Sequence, residues 1–167
     1  TKKGILTNYT KRSGKTAPEN IYSLIGTPRQ IYVDLLEGEG ATGSLEHRGI
    51  ALTDKTKGGG MIQDLGIHTL VGLFALQDYI GDIDLSFQSG IVRAAKCKEY
   101  IRWAKKRFAL PDSRIAETYA ELEFKTSTGV PVFAAIGKYV PKNLNQRRII
   151  IVGSQGKLYL DLSSCTL

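Results

Sequence analysis

The residue types best suited to chemistry lie in the segment GGGMIQDLGIH, which runs from Gly58 to His68. Asp64 and His68 are four positions apart, and residues at this spacing share one face of a helix. Most other residues from 61 to 77 are apolar, which is typical of a buried helix. Because a buried polar group without a partner is costly, this carboxylate and this imidazole must find partners. Such a pair in a cleft is suited to acid–base catalysis, since an imidazole exchanges protons near neutral pH.

Two other interpretations of this pair stay open at this point. Asp64 can serve simply to hold His68 in one tautomer within a packed core. Both side chains are also types that bind metals, but the remaining candidate ligands, His47, Cys97 and Cys165, show no clustered spacing. We therefore predict no metal at this site.

The composition is that of an ordinary globular domain. Its 167 residues, 42% hydrophobic and 23% charged, suffice for one domain with a core. Two cysteines argue against a disulfide scaffold and favour a reducing compartment, so we expect a cytoplasmic protein. No apolar run in the sequence is long enough to cross a bilayer. The chain begins at Thr1, from which we expect a fragment of something longer.

The formal net charge of +7 favours anionic partners or substrates. The basic side chains concentrate in an N-terminal arm and in a segment from 96 to 107. They are Lys2, Lys3, Lys11, Arg12 and Lys15 in the arm, and Lys96, Lys98, Arg102, Lys105, Lys106 and Arg107 in the segment. No nucleic-acid motif accompanies this charge, so a basic nucleic-acid-binding domain is a less favoured alternative.

Hydrophobic periodicity predicts an α+β fold. The predicted strands cover residues 29–36, 45–52, 82–93, 114–124, 130–139, 147–152 and 157–162, and the predicted helices cover residues 19–25, 61–77 and 95–108. Since hairpin turns join the last strands, we expect a largely antiparallel open β-sheet with one or two helices packed on one face. Residues 1–24 are expected to form an N-terminal arm with a short helix, and residues 25–167 a single domain.

The segment from Gly38 to Gly43, GEGATG, matches the dinucleotide-binding pattern GxGxxG. We reject this assignment because Glu37 and Glu39 would place negative charge beside a pyrophosphate. The residues that follow also do not predict a helix whose N-terminus could hold phosphate. A surface turn explains the segment better.

The glycine-rich segment resembles the GGG-x3-D-x-G-x-H signature of the Gfo/Idh/MocA oxidoreductases, the glucose–fructose oxidoreductase and inositol dehydrogenase group. Every fixed position of the signature is present, namely Gly58, Gly59, Gly60, Asp64, Gly66 and His68. The segments IGTPRQIYVDLLEGEG and RRIIIVGSQGKLYLDL are similar to the family's first strand after its dinucleotide domain and to its closing hairpin. The resemblance implies that this chain is the C-terminal, substrate-binding and oligomerisation domain of such an enzyme.

The resemblance also implies roles for individual residues. His68 would move a proton to or from a substrate hydroxyl, and Asp64 would support it and help position the substrate. NAD or NADP would be bound mainly by an N-terminal Rossmann domain, which this sequence lacks together with the family's catalytic lysine, so the chain alone is expected to be inactive. The expected substrate is a sugar or a polyol-like secondary alcohol or ketone. The open sheet face is expected to form a homo-oligomer interface.

Further candidates surround the motif. The glycines Gly58–Gly60 let the backbone come close to the substrate or the nicotinamide, and we assign them to cofactor binding. Lys57, Arg48 and Tyr9 are candidate substrate contacts because they are polar and precede the motif. The basic segment 96–108 is an addition to the family's core, either for an anionic substrate or as a solvated face. A non-catalytic dimerisation module of the same fold is the main alternative function.

Overall fold

A computed structural model of the protein describes residues 25–38, 49–80, 90–140 and 142–162, with the side chains of residues 74–80 and 142 left out. The predicted N-terminal arm lies outside the described residues, as do the predicted helix 19–25 except Ile25, the GxGxxG segment beyond Gly38, and the first part of the predicted strand 82–93.

The described part of the chain contains six strands and three α-helices. The strands are β1 (Pro28–Glu37), β2 (Gly90–Ala95), β3 (Tyr119–Lys125), β4 (Pro131–Lys138), β5 (Gln146–Gly153) and β6 (Lys157–Asp161), and the helices are α1 (Ile50–Thr53), α2 (Met61–Ile80) and α3 (Lys98–Phe108). Short 3-10 helices cover Lys55–Lys57 and Lys142–Leu144. None of the helices in this part combines the length and the hydropathy that crossing a bilayer requires.

The strands form one sheet in the order β2-β3-β4-β1-β5-β6. Strands β1 and β4 are parallel, and the other neighbouring pairs are antiparallel. The turn between β3 and β4 is closed by Thr126, whose backbone N–H donates to the carbonyl of Val130 over 3.0 Å. Gly129 supplies the left-handed backbone that this turn needs, with φ at +82°. The predicted α+β fold with a largely antiparallel open sheet is confirmed.

Helix α2 packs on one face of this sheet, mainly against β1, β3 and β4. Because side chains alternate across a strand, every second residue of these strands faces the helix. The resulting core consists mainly of Ile31, Val33, Leu35, Ala120, Val132, Ala134, Ile136, Ile149 and Ile151 from the sheet and Met61, Leu65 and Leu73 from α2. These residues fix the face of α2 that lies on the sheet, and so also the direction of its polar side chains.

Helix α2 is not buried all round, although its composition predicts that it is. Ile67 and Val71 each keep 59% of their surface exposed. The helix lies on the sheet as a single layer, so the face that turns away from the sheet stays accessible. An apolar composition therefore overestimates the burial of this helix.

The predicted strand 45–52 is wrong over its described part. Residues 50–53 form the helical turn α1, and residues 45–48 lie outside the described residues. The hydroxyl of Thr53 donates to the carbonyl of Gly49, and Asp54 then forms an isolated β-bridge with Ile115. Contacts with the distant segment before β3 thus help decide the conformation of this stretch.

Helix α3 forms a second, smaller cluster beyond the main core. Its Tyr100 and Ala104 are buried with Leu110 and Ile115, and Tyr100 stacks on Tyr139 at 5.1 Å between ring centres. The basic side chains of this helix are exposed. Two of them are paired at the surface, Arg102 with Glu99 at 2.9 Å and Lys105 with Asp112 at 2.7 Å.

Candidate active site

The loop that leads into α2 is fixed by the buried carboxylate of Asp54. Asp54 accepts hydrogen bonds from the backbone N–H and the hydroxyl of Thr56, at 3.0 and 2.8 Å. It also accepts a bidentate pair of hydrogen bonds from Nε and Nη2 of Arg114. The guanidinium of Arg114 is the main reason why the pKa of Asp54 lies far below its ordinary value of 3.8. Burial acts in the opposite direction, and the hydrogen bonds from Thr56 lower the pKa further.

This lowered pKa predicts an acid-sensitive contribution to stability. The Asp54 carboxylate stabilises the fold fully above its ordinary pKa of 3.8, and this contribution is lost as the pH falls from there towards the lower pKa of the folded state. We expect D54N to lower the Tm at neutral pH, and we expect the difference from the wild type to shrink in acid. Thermal unfolding at a series of pH values measures this. D112N is the matched control, since Asp112 pairs with Lys105 at an exposed position.

The three consecutive glycines of the motif each have a structural reason. Gly58 ends the 3-10 helix in the left-handed region, with φ at +80°, and is exposed. Gly59 is buried against the backbone, where an added Cβ would lie 2.6 Å from the carbonyl oxygen of Leu52. Gly60 is also buried, has φ at +136°, and lies beside the carboxylate of Glu117. Backbone packing at Gly59 and positive φ at Gly58 and Gly60 therefore explain the glycines at the three positions that we assign to cofactor binding, and the assignment itself remains a prediction.

Glu117 caps the start of α2. Its Oε1 accepts a hydrogen bond of 3.0 Å from the backbone N–H of Ile62, and its backbone carbonyl accepts one of 3.3 Å from Met61. The first N–H groups of a helix have no partner within the helix, and a carboxylate there also suits the helix dipole. This cap fixes the helix terminus and with it the position of Asp64, which lies in the first turn.

Asp64 and His68 line the same cavity, which has a volume of about 260 Å³. It lies where the ends of β1 and β4 and the start of β5 meet α2. Its other lining residues are Leu35, Glu37, Leu65, Lys138 and Arg147. His68 is exposed, which excludes its interpretation as a packed core histidine, and Asp64 is partly buried. The structure therefore brings the predicted pair together at an accessible concavity.

Four charged side chains form a chain of ion pairs in this cavity. The ammonium of Lys138 lies 3.0 Å from Asp64 Oδ2 and 3.2 Å from Glu37 Oε2. The guanidinium of Arg147 lies 2.9 Å from Glu37 Oε1. The sequence prediction missed Glu37, Lys138 and Arg147.

A signal for these three residues is nevertheless present in the strands. Glu37 follows Leu35, Lys138 follows Ile136, and Arg147 precedes Ile149, each by two positions. Each charged residue therefore lies on the same face of the sheet as the apolar core, just beyond the last core residue of its strand. A charged residue on the core-facing side of a strand is exceptional, because its charge must be paired or reach solvent.

Lys57 is the only remaining substrate-contact candidate within the described residues, and it does not join this cavity. Lys57 is exposed in the 3-10 helix before the glycines and is not among the lining residues. Arg48 and Tyr9 lie outside the described residues. Within the described ranges, no group of three or more His, Cys, Asp or Glu side chains is arranged to hold a metal ion.

A larger groove of about 470 Å³ lies on another side of α2. Its lining is mainly apolar and includes Ile67, Val92 and Phe124. It contains neither Asp64 nor His68. The smaller cavity is therefore the candidate active site, because acid–base chemistry needs groups that can exchange protons.

No family model matches this sequence, and no curated protein matches it. Solved structures do match the fold. Myo-inositol 2-dehydrogenase from Lactobacillus plantarum matches with a TM-score of 0.58 and 15% identity over 93% of this chain. UDP-N-acetylglucosamine 3-dehydrogenase GnnA from Acidithiobacillus ferrooxidans matches with a TM-score of 0.51 and 15% identity over 92% of this chain. GenD2 of gentamicin A biosynthesis, solved with NAD, matches with a TM-score of 0.55 and 14% identity over 85% of this chain.

The match covers only part of each of those proteins. This chain spans 38% of the myo-inositol dehydrogenase, 36% of GnnA and 34% of GenD2. At identities of this size the likeness concerns the fold. The chain therefore has the fold of one part of the Gfo/Idh/MocA-type dehydrogenases, the group whose signature its glycine motif resembles.

Proposed function

We propose that this chain is the substrate-binding and oligomerisation domain of an NAD(P)-dependent oxidoreductase. Its substrate would be a sugar or a polyol-like secondary alcohol, or the corresponding ketone. The observation that carries this proposal is that Asp64 and His68 line one accessible cavity at the edge of the sheet. The fold and the motif support it, since solved structures of this fold include dehydrogenases of an inositol and of a nucleotide sugar.

In the proposed reaction His68 acts as the proton carrier. As the alcohol is oxidised, its hydroxyl proton passes to the neutral imidazole, and in ketone reduction the imidazolium returns that proton to the oxygen. Asp64 stabilises the imidazolium through its negative charge and accepts a hydrogen bond from a substrate hydroxyl. The nicotinamide cofactor, when bound, accepts the hydride from the carbon or supplies it.

The candidate active-site cavity is too small for a whole dinucleotide. A cavity of about 260 Å³ suits a small polar ligand, and Gly59 and Gly60 are buried against neighbouring groups. We therefore infer that a Rossmann domain elsewhere in the complete protein holds NAD or NADP. This chain would contribute the exposed Gly58 and the cavity, and both would face the nicotinamide end of the cofactor.

The sheet face opposite α2 suits the proposed oligomer interface. Tyr32 and Phe133 stack there at 5.4 Å, and Tyr159 keeps 56% of its surface exposed. The paired charges of Asp34 and Arg148 lie on the same face, with 2.6 Å between them. Aromatic residues and arginine are enriched in interfaces between subunits.

The proposal is tested with the complete protein that contains this chain. We expect it to reduce NAD or NADP with at least one alcohol from a panel of inositols, free sugars and nucleotide sugars. Nicotinamide absorbance reports turnover, and NAD(P)H fluorescence reports cofactor binding. Light scattering of the same preparation reports the oligomeric state. An oligomer that binds neither cofactor and oxidises none of these alcohols would favour the non-catalytic dimerisation module instead.

A further inference from the structure

We propose that Lys138 is a positioning residue of this site, whose ammonium holds the Asp64 carboxylate in place beside His68. This inference rests on the proposed function and adds a residue that neither the motif nor the fold assigns. The ion pair of 3.0 Å between Lys138 and Asp64 is its basis.

The side chain of Lys138 is largely buried within the cavity. Only 13% of the side chain is exposed, compared with 48% for Arg147. A charged group that is largely removed from water must be paired to be tolerated. Lys138 meets this requirement with two carboxylates, Asp64 on α2 and Glu37 on β1.

The topology makes this arrangement a consequence of strand order. Strands β1 and β4 run in parallel, so both bring their last residues to the same edge of the sheet, and Glu37 pairs in register with Lys138. On the neighbouring antiparallel strand β5, Arg147 faces Leu35 and reaches Glu37. Three strands thus place an anchored ammonium under the first turns of α2.

The charged and titratable groups that line the cavity with Lys138 lie on three elements. They are Asp64 and His68 on α2, Glu37 on β1 and Arg147 on β5. With a neutral imidazole, the two carboxylates balance the two cations. The ammonium lies between the carboxylates of Asp64 and Glu37 and limits their rotation, because opposite charges at this distance attract. Lys138 would therefore act through Asp64 and not on the substrate directly.

The test compares variants of the complete enzyme. K138M should lower kcat by up to about 10²-fold with a smaller change in KM, because a misplaced carboxylate no longer supports His68. It should also move the acidic limb of the pH–rate profile to higher pH, since removing a cation makes its neighbours easier to protonate. K138R, which keeps the charge, should restore the position of that limb and most of kcat. K125M is the control, because Lys125 is an exposed lysine at the end of the neighbouring strand β3.

A second variant keeps the proposal testable if K138M does not fold. E37Q removes the negative charge that competes with Asp64 for the ammonium, so the acidic limb should move to lower pH, opposite to K138M. The role of Lys138 would be overturned if a folded K138M kept both the wild-type kcat and the wild-type acidic limb of the pH–rate profile. If K138M does not fold, the same result in E37Q would overturn it. If His68 is essential in the same assays, the proposed function stands while this inference fails.

Discussion

Replacing His68 by asparagine in the complete protein should reduce turnover by about 10²–10⁴-fold, which is the usual contribution of a positioned proton carrier. Asparagine retains polarity and hydrogen bonding at this position but cannot carry the proton of the substrate hydroxyl. The loss should appear in kcat and in kcat/KM, because the interaction exists in the transition state. Steady-state kinetics of alcohol oxidation measure it.

Two measurements separate this loss from damage to the fold. His68 is exposed on α2, so H68N should change the free energy of unfolding by no more than about 0.5 kcal/mol. NAD(P)H binding should be unchanged, since we propose that a Rossmann domain elsewhere in the complete protein holds the dinucleotide. I67N is the matched control, because Ile67 is exposed on the same helix but does not line this cavity. Full turnover in H68N would remove His68 from the mechanism.

The pair Asp64 and His68 could be predicted from the sequence because its geometry is local. A spacing of four residues on a helix determines that both side chains share a face, whatever the rest of the chain does. Strand alternation is equally local, and it correctly predicted most of the described strands. The prediction fails where a residue's environment depends on distant partners.

Two errors show that dependence. Arg147 and Glu37 are 110 positions apart, and their contact needs the register of β1, β4 and β5, which a single sequence does not specify. The stretch after Gly49 has strand-like residues, but Asp54 is held by Arg114, 60 positions away, and this pair fixes the loop that follows α1. In both cases an ion pair between distant segments determines the local structure, in the cavity or in the loop that leads to it. Apolar periodicity carries no information about such pairs.

Gly59→Ala should destabilise the protein by about 1–3 kcal/mol or more, the usual cost of forcing extra atoms into a packed region. An added Cβ would lie 2.6 Å from the carbonyl carbon and oxygen of Leu52 and 2.7 Å from the carbonyl oxygen of Ala51. These are backbone atoms, so no side-chain rotation relieves the contact, and α1 or the glycine loop must move. Urea unfolding followed by circular dichroism measures the change.

Gly66→Ala is the matched control within the same motif. Gly66 lies inside α2, where an added Cβ would meet Ile136 Cδ1 at 3.7 Å, an ordinary contact. Because alanine favours a helix over glycine by up to about 1 kcal/mol, this variant should be as stable as the wild type or more so. A Gly59→Ala variant with wild-type stability but weakened NAD(P)H binding would contradict the packing explanation. It would then support the prediction that this glycine lies against the cofactor.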